Sequence, residues 1–386
     1  MISEMEGSFI PILFVFWFSF VLLAIGYILY SFFMIFISIF FVKRKYESNI
    51  FPSVSIIIPA YNEEKVIEKK IKNSLTIDYP QDKFEIIIVS DASDDKTDEI
   101  VRRYVSDRLK LIRQETRRGK LSALNLGAKN AVGEILVFTD ANSLIDKEAV
   151  SNIVMPYIDP KVGAVAGEQV ILDEGGSAKG EGFYWRLEAK LKDAESRLGS
   201  VIGADGSIYS IRKELYPFFE SLSIVMDDFV ISTSVITKGY KLEYISSAKS
   251  YEGASSNLWV EFSRKARIFA GSAGSISLVK RLLIKSFVFK LIFHKFIRWI
   301  SPLFLITLFC SNIFLINYSI FYKALFLAQS IFYGLSLIGI IIEMAKLPQG
   351  KLTYFPLYFT LTNAAEIYGL FGMFTGKYKA AWEKLR

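Results

Sequence analysis

Three polar clusters in this chain carry side chains that could do chemistry: Tyr61 to Glu64, Asp91 to Asp95, and Asp140 to Ser143. Each follows a short apolar run. One such cluster taken alone is a solvated turn. Three at the same edge of one sheet make a shared site, because α/β sheets bind ligands at the carboxyl ends of their strands. Two more acids, Asp227 and Asp228, open a helical pattern. Acids are favoured there by the helix dipole, and one of them could serve as a base. His294 is the only histidine and Cys310 the only cysteine. No intramolecular disulfide is available. His294 lies in a basic, aromatic stretch, which points to a membrane surface rather than to a zinc site or a Ser-His-Asp triad.

The elements that must position these clusters follow from periodicity. Val54 to Pro59 and Phe84 to Val89 are short β-branched runs suited to buried parallel strands. A helical pattern through Ile67, Ile71 and Leu75 separates them. A helix through Ile100 and Tyr104 follows, then strand 109–112, helix 119–131 and strand 134–138. This alternation predicts an α/β domain with a mostly parallel sheet. Beyond it the pattern predicts strand 162–170, helix 181–197, a turn and short strand within 203–212, helix 228–238 and strand 241–245, with Gly239 as the stop between the last two.

The domain does not stand alone. Of the 386 residues, 52% are hydrophobic and 15% aromatic, more than an ordinary soluble enzyme carries. Charges are absent from Phe9 to Val42, from Ile300 to Tyr322 and from Ala324 to Ile342. About 20 apolar residues cross a bilayer core, so each stretch is a membrane candidate. The first is too long for a cleaved signal peptide and has no basic leader. It would run roughly 50 Å as one helix, and Gly26 offers a place to bend. A further segment, 353–375, is interrupted by Asn363 and Glu366. The net charge of +7 does not imply nucleic acid. The basic residues gather beside the apolar runs, at Lys43 to Lys45 and between Lys280 and Arg298, where lipid headgroups and the positive-inside rule place them. Basic and apolar residues alternate from Lys280 to Trp299, with Arg281, Lys285, Lys295 and Arg298 on one side and Lys290 off it. This pattern predicts a helix lying in the membrane interface, with a basic flank of the next span as the plainer alternative, and His294 is expected at the membrane surface.

The order of short motifs resembles that of the membrane-bound inverting family 2 glycosyltransferases, the branch that makes hyaluronan, cellulose, chitin and poly-N-acetylglucosamine. The motifs are Ile-Pro-Ala-Tyr-Asn-Glu ending at Glu63, Ser-Asp-Ala-Ser at 90–93, Arg-Gly-Lys at 118–120, Thr-Asp-Ala-Asn at 139–142 and Asp-Asp at 227–228, with Arg264 and Arg267 beyond. The resemblance implies an α/β, GT-A-like nucleotide-sugar-binding domain flanked by transmembrane helices. Residues 1–45 would form an N-terminal transmembrane helix, 50–275 a cytosolic catalytic domain, and 278–386 an interfacial helix with a C-terminal transmembrane region. It implies transfer with inversion from a nucleotide diphosphate sugar, of the UDP class, to a growing cell-surface polysaccharide or a lipid-linked acceptor. A catalytically inactive membrane scaffold is the alternative, and the intact Asp91, Asp140 and Asp228 speak against it.

The resemblance also assigns roles. Asp228 would be the general base. Tyr61, Glu63, Asp91, Lys120, Arg264 and Arg267 would hold the donor. Asp140 and Asn142 would bind Mg2+ or Mn2+, cations that prefer oxygen ligands. Asn142 departs from the family's second acid: one charge is lost, while the amide oxygen can still ligate or orient a metal-bound water. Arg264 and Ile268 stand where the synthases carry Gln and Trp, which puts processive synthesis and single-sugar addition on an equal footing. A homo-oligomer or an export partner would complete a channel for a polymer. The membrane topology would leave the basic tail outside if 353–375 spans fully, or inside if it is re-entrant.

Overall fold

The computed structural model describes residues 2–47, 51–172, 179–219, 226–253, 258–279 and 285–375. The chain opens with α1 (Ile2–Ala24) and α2 (Tyr30–Ser38), joined without a break by a π-helical turn, Ile25–Leu29. The elements of the α/β domain follow as β1 (Val54–Ala60), α3 (Ile67–Leu75), β2 (Phe84–Ser90), α4 (Thr97–Arg102), β3 (Leu109–Arg113), α5 (Lys120–Asn130), β4 (Ile135–Phe138), β5 (Leu144–Ile145) and α6 (Ala149–Val154). Then come β6 (Val162–Leu172), α7 (Lys179–Arg197), β7 (Tyr209–Arg212), α8 (Asp227–Thr237) and β8 (Lys241–Gly253). Last are α9 (Leu258–Val279), α10 (Lys285–Lys290), α11 (Ile297–Leu315), α12 (Ile320–Met344) and α13 (Lys351–Phe374).

One eight-stranded sheet, ordered β3-β2-β1-β4-β7-β6-β8-β5, forms the spine. Four of its pairings are parallel and three antiparallel. Every residue of β1 and β2 is buried, because helices cover both faces. The two-residue period of a strand then divides the isoleucines between two cores. Ile57, Ile87 and Val89 pack with Leu121, Leu124 and Ala128 of α5. Ile56, Ile58, Ile86 and Ile88 pack with Ile67 and Ile71 of α3. Both faces being apolar explains why these strands read as continuous hydrophobic runs in the sequence. The strand expected over 241–245 runs on to Gly253 as β8, pairing in parallel with β6 and antiparallel with β5.

Among the described residues, three helices are long and apolar enough to cross a membrane: Phe9–Ser38, Phe287–Leu315 and Ile320–Met344. The chain is a membrane protein. α13, the segment interrupted by Asn363 and Glu366, is one continuous helix that packs along α9 and α12.

The basic stretch before α11 departs from the sequence expectation. Arg281 lies outside the described residues. Lys280 and residues 282–284 lie outside them as well; from Lys285 on, α10 continues through a π-helical turn, Leu291–Phe296, into α11. Lys290, His294 and Arg298 face other parts of the protein. His294 is buried, with Nε2 2.6 Å from Glu188 Oε1 and Nδ1 2.9 Å from Glu195 Oε1. Arg298 Nη1 donates to Glu188 Oε2 at 3.0 Å, and its Nε donates to the Gly26 carbonyl at 2.9 Å. Tyr30 donates to Glu195 Oε1 at 2.6 Å. Lys290 Nζ caps the end of α7, donating to the carbonyls of Glu195 at 2.9 Å and Ser200 at 2.8 Å. The physical reason is α7: Glu188 and Glu195 are seven residues apart and share one helix face, so they supply counterions that draw the basic residues inward. Gly26 allows the close approach this requires, since a β-carbon there would meet Ile297 Cγ2 at 2.8 Å. The basic residues after α2 also touch protein. Lys43 pairs with Asp193 at 2.7 Å, and Arg44 with Asp159 and Glu243 at 3.3 Å each.

Removing one member of a buried ionic network leaves its partners uncompensated. His294→Ala is expected to lower stability by about 3 kcal/mol, read as a lower unfolding midpoint of the detergent-solubilised protein. An unchanged midpoint would show that Glu188 and Glu195 do not depend on His294.

Candidate active site

The first two clusters hold each other at the carboxyl ends of β1 and β2. Asn62 and Ala92 both adopt positive φ, 54° and 56°, a conformation that non-glycine residues take at a cost and that gathers at functional sites. The turns are tied by the Asn62 amide donating to Ser93 Oγ at 3.1 Å, the Asp94 amide to Asn62 Oδ1 at 3.0 Å and the Glu63 amide to Thr97 Oγ1 at 2.7 Å. Glu63 is buried. Tyr61 lies under the Arg117 guanidinium, 4.0 Å from its ring centroid, a cation–π contact.

Asp91 is fully buried. Its Oδ1 accepts from Gln114 Nε2 at 2.9 Å and from the Arg118 amide at 2.7 Å, and its Oδ2 accepts from the Gly119 amide at 2.8 Å. In the described structure Asp91 therefore shapes the turn before α5, with both oxygens engaged by protein donors. Gly119, at φ 90°, is where that turn requires glycine. Lys120 follows as the first residue of α5.

The third cluster is anchored by a residue of α3. Lys70 is fully buried and donates to Thr139 Oγ1 at 2.8 Å and to the Ser143 carbonyl at 2.5 Å. Burial pushes its pKa down to about 7. Asn73 adds a two-way clamp on the Ile145 backbone, 2.9 Å in each direction.

These supports bring Lys120, Asp140, Asp227 and Asp228 together. Lys120 Nζ is 2.8 Å from Asp140 Oδ1 and 3.2 Å from Asp227 Oδ2. Gly206 sits among them: a β-carbon there would stand 3.2 Å from Asp140 Oδ2, 3.2 Å from Lys120 Nζ and 3.6 Å from Asp228 Oδ2. The glycine thus leaves a small cradle facing two carboxylates and an ammonium. Burial acts to lower the Lys120 pKa, but the fields of Asp140, Asp227 and Asp228 outweigh it and raise it. Burial raises Asp227. Burial and the charge of Asp227 push Asp228 up to about 7, against the attraction of Lys120. A carboxyl that changes charge near neutral pH is suited to proton transfer.

The remaining expected site residues have their contacts outside this cluster. Asn142 donates its amide to Glu252 of β8, and Glu252 also accepts from Gln169 Nε2 at 2.5 Å. Arg264 donates to Glu261 of its own helix at 2.9 and 3.0 Å, and Arg267 lies half-buried on the same helix. Sequence reasoning missed Lys70, Gln169, Asp205, Glu252 and Lys295. Asp205 pairs with Lys192 and adds its field to Asp228. Lys295 stands over the Phe229 ring at 5.0 Å, next in sequence to Asp228. Glu252 was out of sight because its strand was expected to end at Ile245. Among the described residues no three His, Cys, Asp or Glu side chains form a metal-binding group. The Asp140 carboxylate, which faces the cradle at Gly206, and the amide oxygen of Asn142 two residues on are hard oxygen donors. They fit Mg2+ or Mn2+ held partly by substrate phosphates, which is how such cations are often bound.

Residues 55–216 match the family model described as glycosyl transferase family 2. A probable glycosyltransferase, YdaM, of Bacillus subtilis (strain 168) is 26% identical over 84% of this chain and 82% of its own length. The beta-monoglucosyldiacylglycerol synthase of Nostoc sp. is 31% identical over 44% of this chain and 38% of its own length. The poly-beta-1,6-N-acetyl-D-glucosamine synthase of Staphylococcus epidermidis is 27% identical over 52% of this chain and 50% of its own length. The chain thus matches half or less of the last two proteins. A mannosyltransferase from Pyrobaculum calidifontis, solved with GDP-Man and Mn2+, superposes with a TM-score of 0.66 at 22% identity, over 94% of this chain and all of that one. The fold is GT-A-like, an α/β architecture with a mostly parallel sheet.

Gly206→Ala tests the cradle directly. The methyl group would displace Asp140 or Lys120, and misplacement of reacting groups by about 1 Å costs on the order of 100-fold. Release of nucleotide diphosphate from a sugar donor is expected to fall by that factor while circular dichroism stays unchanged. Parental turnover in the variant would remove the cradle from the site.

Proposed function

We propose that this chain, whose residues 55–216 form a family 2 glycosyltransferase domain, transfers a hexosyl group with inversion from a nucleotide diphosphate sugar of the UDP class. The acceptor is a growing polysaccharide or a lipid-linked sugar acceptor, and the reaction takes place on the cytosolic face of the cell membrane. The observation that carries this reading is the convergence of Asp228, pushed up to about 7, with Lys120 and Asp140 around Gly206. Single displacement needs one base on the acceptor side and fixed positive charge on the leaving-group side. Asp228 takes the proton of the acceptor hydroxyl. The acceptor oxygen bonds to the anomeric carbon as the bond from that carbon to the diphosphate breaks, and the electron pair leaves with the diphosphate. Lys120 is placed to attract that developing charge.

A divalent cation, when bound, would neutralise the diphosphate and favour its departure. Asp140 and Asn142 are the residues that would hold it. Tyr61, Glu63 and the turn fixed by Asp91 are assigned to the nucleoside end. Arg264 and Arg267 of α9 are assigned to the diphosphate, which requires Arg264 to exchange part of its pairing with Glu261.

One feature favours the lipid-linked acceptor. A groove of about 160 Å³ runs beside α9, lined by Trp259, Phe262, Ile340, Met344, Leu357 and Leu361. Its wall joins the helix that carries Arg264 to two apolar helices. An acyl or isoprenoid chain suits such a lining.

Asp228→Asn is expected to reduce turnover roughly 100- to 10,000-fold with donor binding retained. Because the base must be ionised, kcat/KM of the parent is expected to fall as pH drops below about 7. The variant should lack this limb. Near-parental turnover, or an acid limb that persists in the variant, would remove Asp228 from the role. Labelled donor with membrane lipid, resolved by size, separates the acceptors: one sugar on lipid is expected, and a ladder of long products would replace the lipid reading with a polymer.

A further inference from the structure

The Asp140–Asn142 motif carries one carboxylate charge, and β8 delivers another to it. Leu144 of β5 pairs antiparallel with Tyr251 of β8, so the next residue, Glu252, lies beside the turn that holds Asn142. Glu252 also pairs in register with Ile171 of β6. One of its carboxylate oxygens accepts from Asn142 Nδ2, and the other accepts from Gln169 Nε2 at 2.5 Å. An ionised carboxylate only accepts hydrogen bonds. It therefore selects one orientation of the Asn142 amide, with the NH2 group toward Glu252 and Oδ1 on the opposite side.

We infer that Glu252 is a positioning residue that makes Asn142 a cation ligand, by holding the amide so that its oxygen faces a divalent cation shared with Asp140 and by restoring the negative charge the motif lacks. The inference rests on the metal-dependent reading above. Asp140 and Glu252 together carry the charge of two acids, but only one belongs to the motif. Gln169 keeps the Glu252 carboxylate in place through its second oxygen. Outer partners that orient a metal ligand typically contribute roughly 10- to 100-fold in metal affinity.

The test is Mn2+ affinity of the full-length, detergent-purified protein with UDP present, measured by electron paramagnetic resonance of free Mn2+. Glu252→Gln is expected to weaken Mn2+ binding roughly 10- to 100-fold. Adding Asn142→Asp to that variant should bring affinity back to near the parental value, because the charge returns to the motif and no amide needs orienting. A loss in Glu252→Gln that Asn142→Asp does not repair would assign Glu252 to the frame alone and overturn the inference. So would parental affinity in Glu252→Gln. Asp140→Ala separates the two levels: if it binds Mn2+ like the parent, the metal reading itself fails. If it loses Mn2+ while Glu252→Gln keeps it, only the role of Glu252 fails. Where Glu252→Gln does not fold, Glu252→Asp keeps the charge and withdraws it from the amide. The same tenfold or greater loss is then expected, and an unchanged affinity would overturn the proposal.

Discussion

Lys120 stands between Asp140 and Asp227, and the site is organised by the need to balance these charges out of water. A carboxylate buried without a partner is strongly disfavoured, and two carboxylates beside each other raise each other's pKa. Lys120 is the ammonium in ion-pair contact with Asp140 and Asp227, while Lys70 and Lys295 act on Asp140 and Asp228 from farther off. Burial first, and then the charge of Asp227, pushes Asp228 up to about 7 against the attraction of Lys120. A cation and a substrate with mobile protons are the natural complements of such a cluster. In the proposed reading, the crowding of acids that costs stability would also prepare the site to bind metal and accept a proton.

The rest of the domain fixes the members of this cluster. Asp91 spends both oxygens on the turn before α5 and so sets where Lys120 begins. Lys70, buried under β4, holds the loop that carries Asp140. Gly206 admits the carboxylates to within contact of one point. None of these three residues needs to touch a substrate to be indispensable, because reactivity at the centre depends on positions held to a fraction of an ångström.

A second ionic network joins the α/β domain to the apolar helices. Glu188 and Glu195 of α7 meet His294 and Arg298 of the long helix that ends as α11, and Tyr30 of α2. Lys295, between His294 and Arg298 in sequence, reaches the ring of Phe229, the neighbour of Asp228. The helix that ends as α11 is thus packed against the neighbour of Asp228; in the proposed reading, where Asp228 is the base, the acceptor side of the site would lie close to the apolar helices. That proximity suits an acceptor that is itself held in a membrane.

The fold of the first half was legible in the sequence because its strands are buried on both faces and its helices on one. The two cases leave different periods: the isoleucine runs at Ile56 to Ile58 and Ile86 to Ile88, and the spaced Ile67 and Ile71. The clusters at the strand ends were legible for the same reason, since strand order alone puts them on one edge. What the sequence did not determine was every partnership between residues distant in the chain. Asp91 could be named as an acid of the site, but its duty to the Arg118–Gly119 turn depends on where β2 and α5 meet. His294 and the lysines near it read as a membrane surface, and became buried partners only when α7 was packed against them. Glu252 lay beyond the expected end of its strand, and its place beside Asn142 follows from the register of β5 on β8. Residue type and local period fix what a segment can be. Which charge neutralises which is decided by tertiary packing, because an ion pair needs proximity in space and chain position does not encode it.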